Sequence, residues 1–309
     1  CSFAGKPLQA PLVIAAMTGG TQEAERINQD LAWVAESLGI GFALGSQRPL
    51  LTEGNTLGYQ VREHAPNALV IGNIGVVQAT EASTQQIIDL VSMTQADALA
   101  IHLNPAMEVV QPEGDHNFRG GLDTIQRLVE GLSVPVIAKE TGCGISRKVG
   151  RKLLSAGVAH VDTSGSGGTS WVGVEALRAQ GDRKQLGDAF WNWGIPTAAS
   201  VAQLTDLKLQ ICATGGIKTG IDVAKAIAMG ASCAGIARPF LQAHAKGGRQ
   251  GALDFARQII HSVRIVCLLT GSKELKDLRS TALVISDPLR GWIPTGTSLH
   301  DRIGPYSWT

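Results

Sequence analysis

Eight short apolar runs recur along the chain, and they constrain its fold more than any other feature. They are Leu12–Ala16, Gly41–Ser46, Ala68–Ile74, Ala98–Leu103, Pro135–Glu140, His160–Ser164, Gln210–Thr214 and Cys233–Ala237. Each is apolar at nearly every position and is followed by polar residues or glycine. Continuous apolarity over so few residues marks strands buried on both faces, as in a parallel sheet. Helical patterns separate them. Gln22–Leu38 carries Ala24, Ile27, Leu31, Val34, Ala35 and Leu38 as an i, i+3/i+4 stripe. Ser83–Thr94, Leu122–Leu132, Arg147–Ala156, Ala198–Leu207, Gly220–Met229 and Ala252–Leu269 repeat the pattern, with a weaker helix over Asn55–His64. Eight βα units are the number that closes a (β/α)8 TIM barrel. The fold class is therefore α/β, with residues 1–309 forming one domain.

Two departures from regular spacing remain. Strand six starts near 160 and strand seven near 210, so an insertion over Gly167–Pro196 must lie between them. It carries Trp171, Trp191 and Trp193, more suited to lid or interface packing than to a stacking platform. The segment 272–309 holds Asp287-Pro288, Gly291, Pro294, Gly296 and Gly304-Pro305, and reads as an irregular surface extension.

Composition excludes several function classes. Lys+Arg 27 against Asp+Glu 26 gives a net charge of +1, so no nucleic-acid partner is expected from bulk charge. No apolar run reaches ~18 residues, so no membrane span is expected. Five scattered cysteines without a CxxC argue against a disulfide framework and for a reducing, cytoplasmic location.

Barrel chemistry sits where strands end at their C-termini. Those ends hold Met17-Thr18-Gly19-Gly20, Ser46-Gln47-Arg48, Gly72-Asn73, His102-Leu103-Asn104-Pro105, Lys139-Glu140, Asp162 through Thr169, Thr214-Gly215-Gly216-Ile217-Lys218 and Gly235-Ile236-Ala237-Arg238. The glycine loops after strands seven and eight suit a phosphate, with amides and a helix N-terminus facing it. Lys139 suits a cofactor that becomes anionic, or an ion pair with Glu140 or Asp162. Strand alternation turns Glu140 away and weakens the first pairing. Glu108, with Glu113, Asp115 and His116 nearby, could hold Mg²⁺ shared with a substrate phosphate, or be surface charge. Cys143 has no adjacent base and reads as a packed thiol.

Taken together, several segments resemble the type 2, FMN-dependent isopentenyl diphosphate isomerases. They are Ala15-Ala16-Met17-Thr18-Gly19-Gly20, Gly45-Ser46-Gln47-Arg48, His102-Leu103-Asn104-Pro105, Gln111-Pro112-Glu113-Gly114 and Lys139-Glu140 with Gly142-Cys143-Gly144-Ile145-Ser146. Ser164-Gly165-Ser166-Gly167-Gly168-Thr169-Ser170-Trp171, Ala213-Thr214-Gly215-Gly216-Ile217 and Ala237-Arg238-Pro239-Phe240 complete the set. The resemblance runs in order from about Phe3 to Leu283.

That resemblance implies an isomerase of isoprenoid biosynthesis, a flavoprotein converting isopentenyl to dimethylallyl diphosphate. It implies reduced FMN as acid and base, Mg²⁺, and NADPH or NADH as reductant. It implies FMN contacts from Met17, Thr18, Ser46, Asn73, Lys139, Ser164, Thr169, Gly216, Lys218, Ala234 and Gly235. Arg48, His102 and Asn104 would contact substrate, with His102 and Asn104 also catalytic, and Glu108 would serve the metal. It implies a homo-oligomer, a tetramer or larger.

Two departures stand out. Met107 occupies the position of the family's Gln, and a thioether cannot relay a proton. The chain also begins just after the point where a basic N-terminal segment of the family would end. Met107 keeps open a divergent homologue acting on a related prenyl or phosphorylated substrate, and a non-catalytic flavin binder. A 2-hydroxy-acid oxidase is disfavoured, because only Arg238 stands where such enzymes need a His base beside Arg.

Overall fold

The computed structural model describes residues 1–303. Eight parallel strands close into a barrel: β3 (Leu12–Ile14), β4 (Gly41–Ala43), β5 (Leu69–Gly75), β6 (Ala98–Leu103), β7 (Val136–Glu140), β8 (His160–Asp162), β9 (Gln210–Ala213) and β10 (Cys233–Ile236), with β10 pairing back onto β3. They match the eight apolar runs. Most stop one to three residues sooner, where the chain leaves the ladder for the loops. A two-stranded hairpin, β1 (Ser2–Phe3) and β2 (Lys6–Pro7), precedes the barrel and was not foreseen. Two-residue strands give no periodic signal.

Period-2 alternation divides the core into two layers. Val13, Ala43, Leu69, Ile71, Ala98, Ala100, Ile137, Cys212 and Cys233 fill the barrel interior. The hairpin adds Phe3, Ala4 and Leu8 to that cluster. Phe3 meets the His160 ring edge-on at 5.7 Å. Their strand neighbours Leu12, Ile14, Phe42, Val70, Leu99, Ile101, Val161 and Ile211 face the helices in the larger outer core.

The helices are α1 (Gln22–Leu38), α2 (Arg48–Glu53), α3 (Val76–Glu81), α4 (Thr84–Thr94), α5 (Pro105–Glu108), α6 (Gly121–Gly131), α7 (Arg147–Ser155), α8 (Trp171–Arg178), α9 (Gly181–Ala189), α10 (Thr197–Leu204), α11 (Gly220–Ala228), α12 (Arg238–Leu269), α13 (Leu275–Leu278) and α14 (Ser298–Asp301). The helix expected over Asn55–His64 does not form. The chain turns there instead, with the Leu57 amide on Asn55 Oδ1 and Gly58 at φ +77°. The helix of that unit is α2, opened by Pro49 and closed by Gly54 in the left-handed region. Helix α12 starts earlier than the apolar stripe implies and breaks at Gly247-Gly248.

The insertion after β8 folds as α8 and α9. The C-terminal extension is irregular, as expected, but it is more than a surface strap. Leu278, Ile293 and Leu299 are buried in the outer core, and Arg302 donates to the carbonyls of Ala228 and Thr281. Of its turn residues, Gly304-Pro305 lie outside the described residues. Among the described residues no helix is long and apolar enough to cross a membrane.

Candidate active site at the C-terminal mouth of the barrel

Alternation decides which side chains line the mouth. Counting up from the apolar interior layer, the next inward positions are Asn73 on β5, His102 on β6, Lys139 on β7 and Asp162 on β8. The strand registers put Gly75 beside His102, His102 beside Lys139 and Lys139 beside Asp162. Lys139 Nζ lies 3.4 Å from Asp162 Oδ2 and donates to the Glu140 carbonyl at 3.0 Å. Of the two partners open to Lys139 from sequence, the structure selects Asp162. Glu140 points to the opposite face, as alternation requires. Asp162 Oδ1 also accepts from the Ser164 amide and the Thr214 hydroxyl.

His102 Nδ1 stands 3.0 Å from Asn73 Oδ1. Asn73 Nδ2 donates to the Leu44 carbonyl, which turns its oxygen toward the ring. The network therefore assigns the proton to Nδ1 and leaves Nε2 as the acceptor. Burial, and then the Lys139 cation, hold the His102 pKa down to about 4, so the ring is neutral near pH 7. Gln47, fully buried, fixes Asn73 in turn. Its Oε1 accepts from the Asn73 amide and its own amide donates to the Asn73 carbonyl, both at 2.7 Å. Sequence reasoning passed over Gln47. Its one signal is its place between Ser46 and Arg48 at a strand end.

Short helix α5 continues from β6. Asn104 Nδ2 donates to Glu108 Oε1, and Glu108 Oε2 accepts from the Asp115 amide at 2.9 Å. Asp115 itself accepts from Gln78. Among the described residues no three His, Cys, Asp or Glu side chains converge as a metal cage. A single buried carboxylate with two of its roughly four lone-pair sites taken suits an ion held mostly by a substrate phosphate. Met107 lines a small cleft together with Thr141, Gly142, Cys143, Trp171 and Trp193. The Cys143 thiol is pushed up to about 12 by burial and the nearby Glu140, and contacts the Trp193 carbonyl at 3.6 Å. It is a packed thiol.

The loops after β8 and β9 meet backbone against backbone. A Cβ on Gly216, at φ +78°, would stand 2.4 Å from the Gly167 carbonyl oxygen, and one on Gly168 would reach 2.7 Å from the Gly216 amide. A Cβ on Gly235 would strike the Thr214 methyl at 2.2 Å. Among the described residues the amides of Gly167, Gly168, Gly216 and Ile217 have no protein acceptor. Unpaired amides in a cradle too tight for side chains fit the phosphate of a nucleotide. With the Lys139 cation in the same mouth, the residues fit FMN.

The remaining expected contacts divide. Met17, Thr18, Ser46, Ser164 and Thr169 stand on the loops at the mouth, and Arg48 opens α2. Thr18 is tied by its hydroxyl to Asn28, and the Ser46 carbonyl takes the Tyr59 hydroxyl at 2.6 Å. Lys218 is exposed at the rim with its amide on Asp222. Ala234 does not join the group by its side chain, which lies in the outer core. Only its main chain runs beside the site.

The FMN-dependent dehydrogenase family matches residues 80–285. The isopentenyl-diphosphate delta-isomerase of Methanosarcina barkeri is 44% identical over 297 residues, covering 94% of this chain and 80% of that protein. The enzyme of the same name from Pyrococcus furiosus is 40% identical over 312 residues, covering 97% and 79%. Among solved structures, a mandelate oxidase variant with a monooxide FMN adduct superposes with a TM-score of 0.65 at 14% identity, covering 90% of this chain and 81% of that one. At that identity the likeness speaks for the barrel alone. The chain belongs to the FMN-dependent dehydrogenase family and, with its relatives of 40% identity and more, to the isopentenyl-diphosphate delta-isomerases.

Proposed function

We propose that the protein isomerises isopentenyl diphosphate to dimethylallyl diphosphate with FMN, Mg²⁺ and NADPH or NADH as the source of electrons. The observation that carries this reading is one layer of side chains in the mouth. There the Lys139–Asp162 ion pair and the His102–Asn73 pair stand on adjacent strands, opening toward a glycine cradle of unpaired amides. Reduced flavin, when bound, supplies the acid and base for proton exchange at the allylic carbons, with no net redox change.

The chain's own residues do the rest. The amides of Gly167, Gly168, Gly216 and Ile217 bind the cofactor phosphate, each without a competing protein acceptor. Lys139 would supply a cation to a bound flavin, favouring its anionic reduced form. Arg48 is exposed at the start of α2 and places a guanidinium where a diphosphate enters. Glu108, oriented by Asn104 and the Asp115 amide, shares Mg²⁺ with that diphosphate. His102, neutral and with its proton fixed on Nδ1, presents Nε2 as an acceptor to the substrate side. The tryptophans of α8 and of the chain after α9 keep water from the apolar end of the substrate. The active species in this reading is a homo-oligomer.

Met107 favours a second reading, a divergent enzyme on a related prenyl or phosphorylated substrate. It lies among Cys143, Trp171 and Trp193, where a side chain able to relay a proton would be needed. One experiment separates the two. The parent and Met107→Gln are assayed with isopentenyl diphosphate, FMN, Mg²⁺ and reductant. Turnover in the parent, equalled or raised about tenfold in M107Q, supports the isomerase. Inactivity of both, with FMN bound in the visible spectrum, overturns it and leaves altered chemistry.

A further inference from the structure

The turn after β7 is tied to several neighbours. Glu140 lies beneath it, buried and outside the barrel, and its Oε2 accepts from the amides of Thr141 at 2.7 Å and Cys143 at 2.5 Å. Gly142 and Gly144, at φ +130° and +71°, curl the chain over that carboxylate. From the same turn the Thr141 hydroxyl reaches the Leu103 carbonyl at the end of β6, and the Gly144 amide reaches the Ser164 carbonyl beyond β8. The Cys143 carbonyl takes the Ile195 amide at 2.8 Å. Gly194 packs so closely on Cys143 that a Cβ would stand 2.8 Å from its Cα. Glu140 thus anchors three neighbours at once: the end of β6 just before Asn104, the cradle side, and the returning limb of the insertion.

This turn lines the cleft at Met107 together with Trp171 and Trp193. The cleft between them is narrow. On the isomerase reading the substrate's apolar end lies against this cleft, because Met107 holds the position of the family's Gln. The tryptophans are 45% and 62% exposed, whereas the turn is hydrogen-bonded on all sides. We propose that Glu140 is a positioning residue for the substrate's apolar end, fixing the 141–144 turn and, through it, the limb that carries Trp193. The assignment rests on the isomerase reading for the identity of that substrate. The fixing itself rests on geometry alone.

The test uses the full chain with FMN bound, as parent, Glu140→Ala and Glu140→Gln. Amide hydrogen exchange is read over 141–145 and 193–197, together with kcat, KM for isopentenyl diphosphate and FMN affinity. In E140A, exchange in both segments rises at least tenfold and KM rises about tenfold. The kcat and FMN affinity stay within threefold. Gln keeps an acceptor oxygen, so E140Q returns exchange and KM most of the way to the parent. Unchanged exchange in E140A overturns the inference, as does a rise in exchange that comes with an equal loss of FMN affinity. The exchange measurement needs no substrate. An inactive parent therefore counts against the isomerase reading alone, and unmoved exchange counts against the clamp alone.

Discussion

Lys139 and Glu140 are neighbours in sequence and opposites in environment. Lys139 turns into the barrel and finds Asp162, while Glu140 turns out and finds only amides. Burial pushes the Glu140 pKa up to about 7, although the amides of the turn and the Lys139 cation pull the other way. Between pH 4.5 and 7 the folded protein therefore holds a proton that the unfolded chain has released. Stability from this group is complete below pH 4.5 and is lost as pH rises through 7. His102 acts in the reverse sense: its pKa is depressed, so the folded state is penalised as pH falls from 6.5 toward 4. Comparing the parent with E140Q cancels the His102 contribution. The stability of E140Q over the parent should grow with pH by on the order of 3 kcal/mol between pH 4.5 and 8. Urea unfolding of both proteins at pH 5 and pH 8 measures it, and a gap that does not change with pH refutes it. The places of Lys139 and His102 at strand ends were legible, and alternation puts their side chains in one inward layer. Gln47 was not legible, because what matters about it is a contact with Asn73, which lies 26 positions further along.

At the scale of elements, the glycine loops after β8 and β9 act as one unit. Neither has a cradle alone, because each supplies the wall that excludes side chains from the other. Gly216→Ala adds a left-handed strain of about 1–3 kcal/mol and a clash with the Gly167 carbonyl. FMN affinity should fall at least tenfold in a fluorescence titration. Gly271→Ala is the control. It has a similar φ of +65° with nothing within 4 Å of the added carbon, so it should cost stability without changing FMN binding. Equal FMN affinities in both variants would remove the cradle from the binding site. The strands were legible because burial on both faces leaves an unbroken apolar run. The turn over Asn55–His64 misled because its apolar residues Leu57, Tyr59 and Val61 suit a helix, while Asn55 and Gly58 redirect the backbone. Helices α8 and α9 were read only as an insertion; α9 has only Leu186 and Ala189 as apolar residues and carries Gly181 and Gly187, so it shows no stripe.

At the scale of the molecule, the barrel is closed below by its own N-terminal hairpin and opens above into the site. Phe3, 1% exposed, fills the bottom of the interior together with Ala4 and Leu8. Phe3→Ala should cost about 3–5 kcal/mol in chemical unfolding, as for a large aromatic removed from a packed core. A cost below 1 kcal/mol would show that the hairpin is an ornament rather than a plug. The amino-acid sequence by itself determined that eight parallel strands close into a barrel, and which strand ends carry polar residues. Both follow from local patterns: burial on two faces writes a continuous apolar run, and the mouth interrupts it. Only the tertiary structure decided that Lys139 pairs with Asp162, that Gln47 orients Asn73, that Ala234 faces away, and that Phe3 plugs the base. Those are contacts between segments distant along the chain, and no local pattern records the partner that closure of the ring brings alongside.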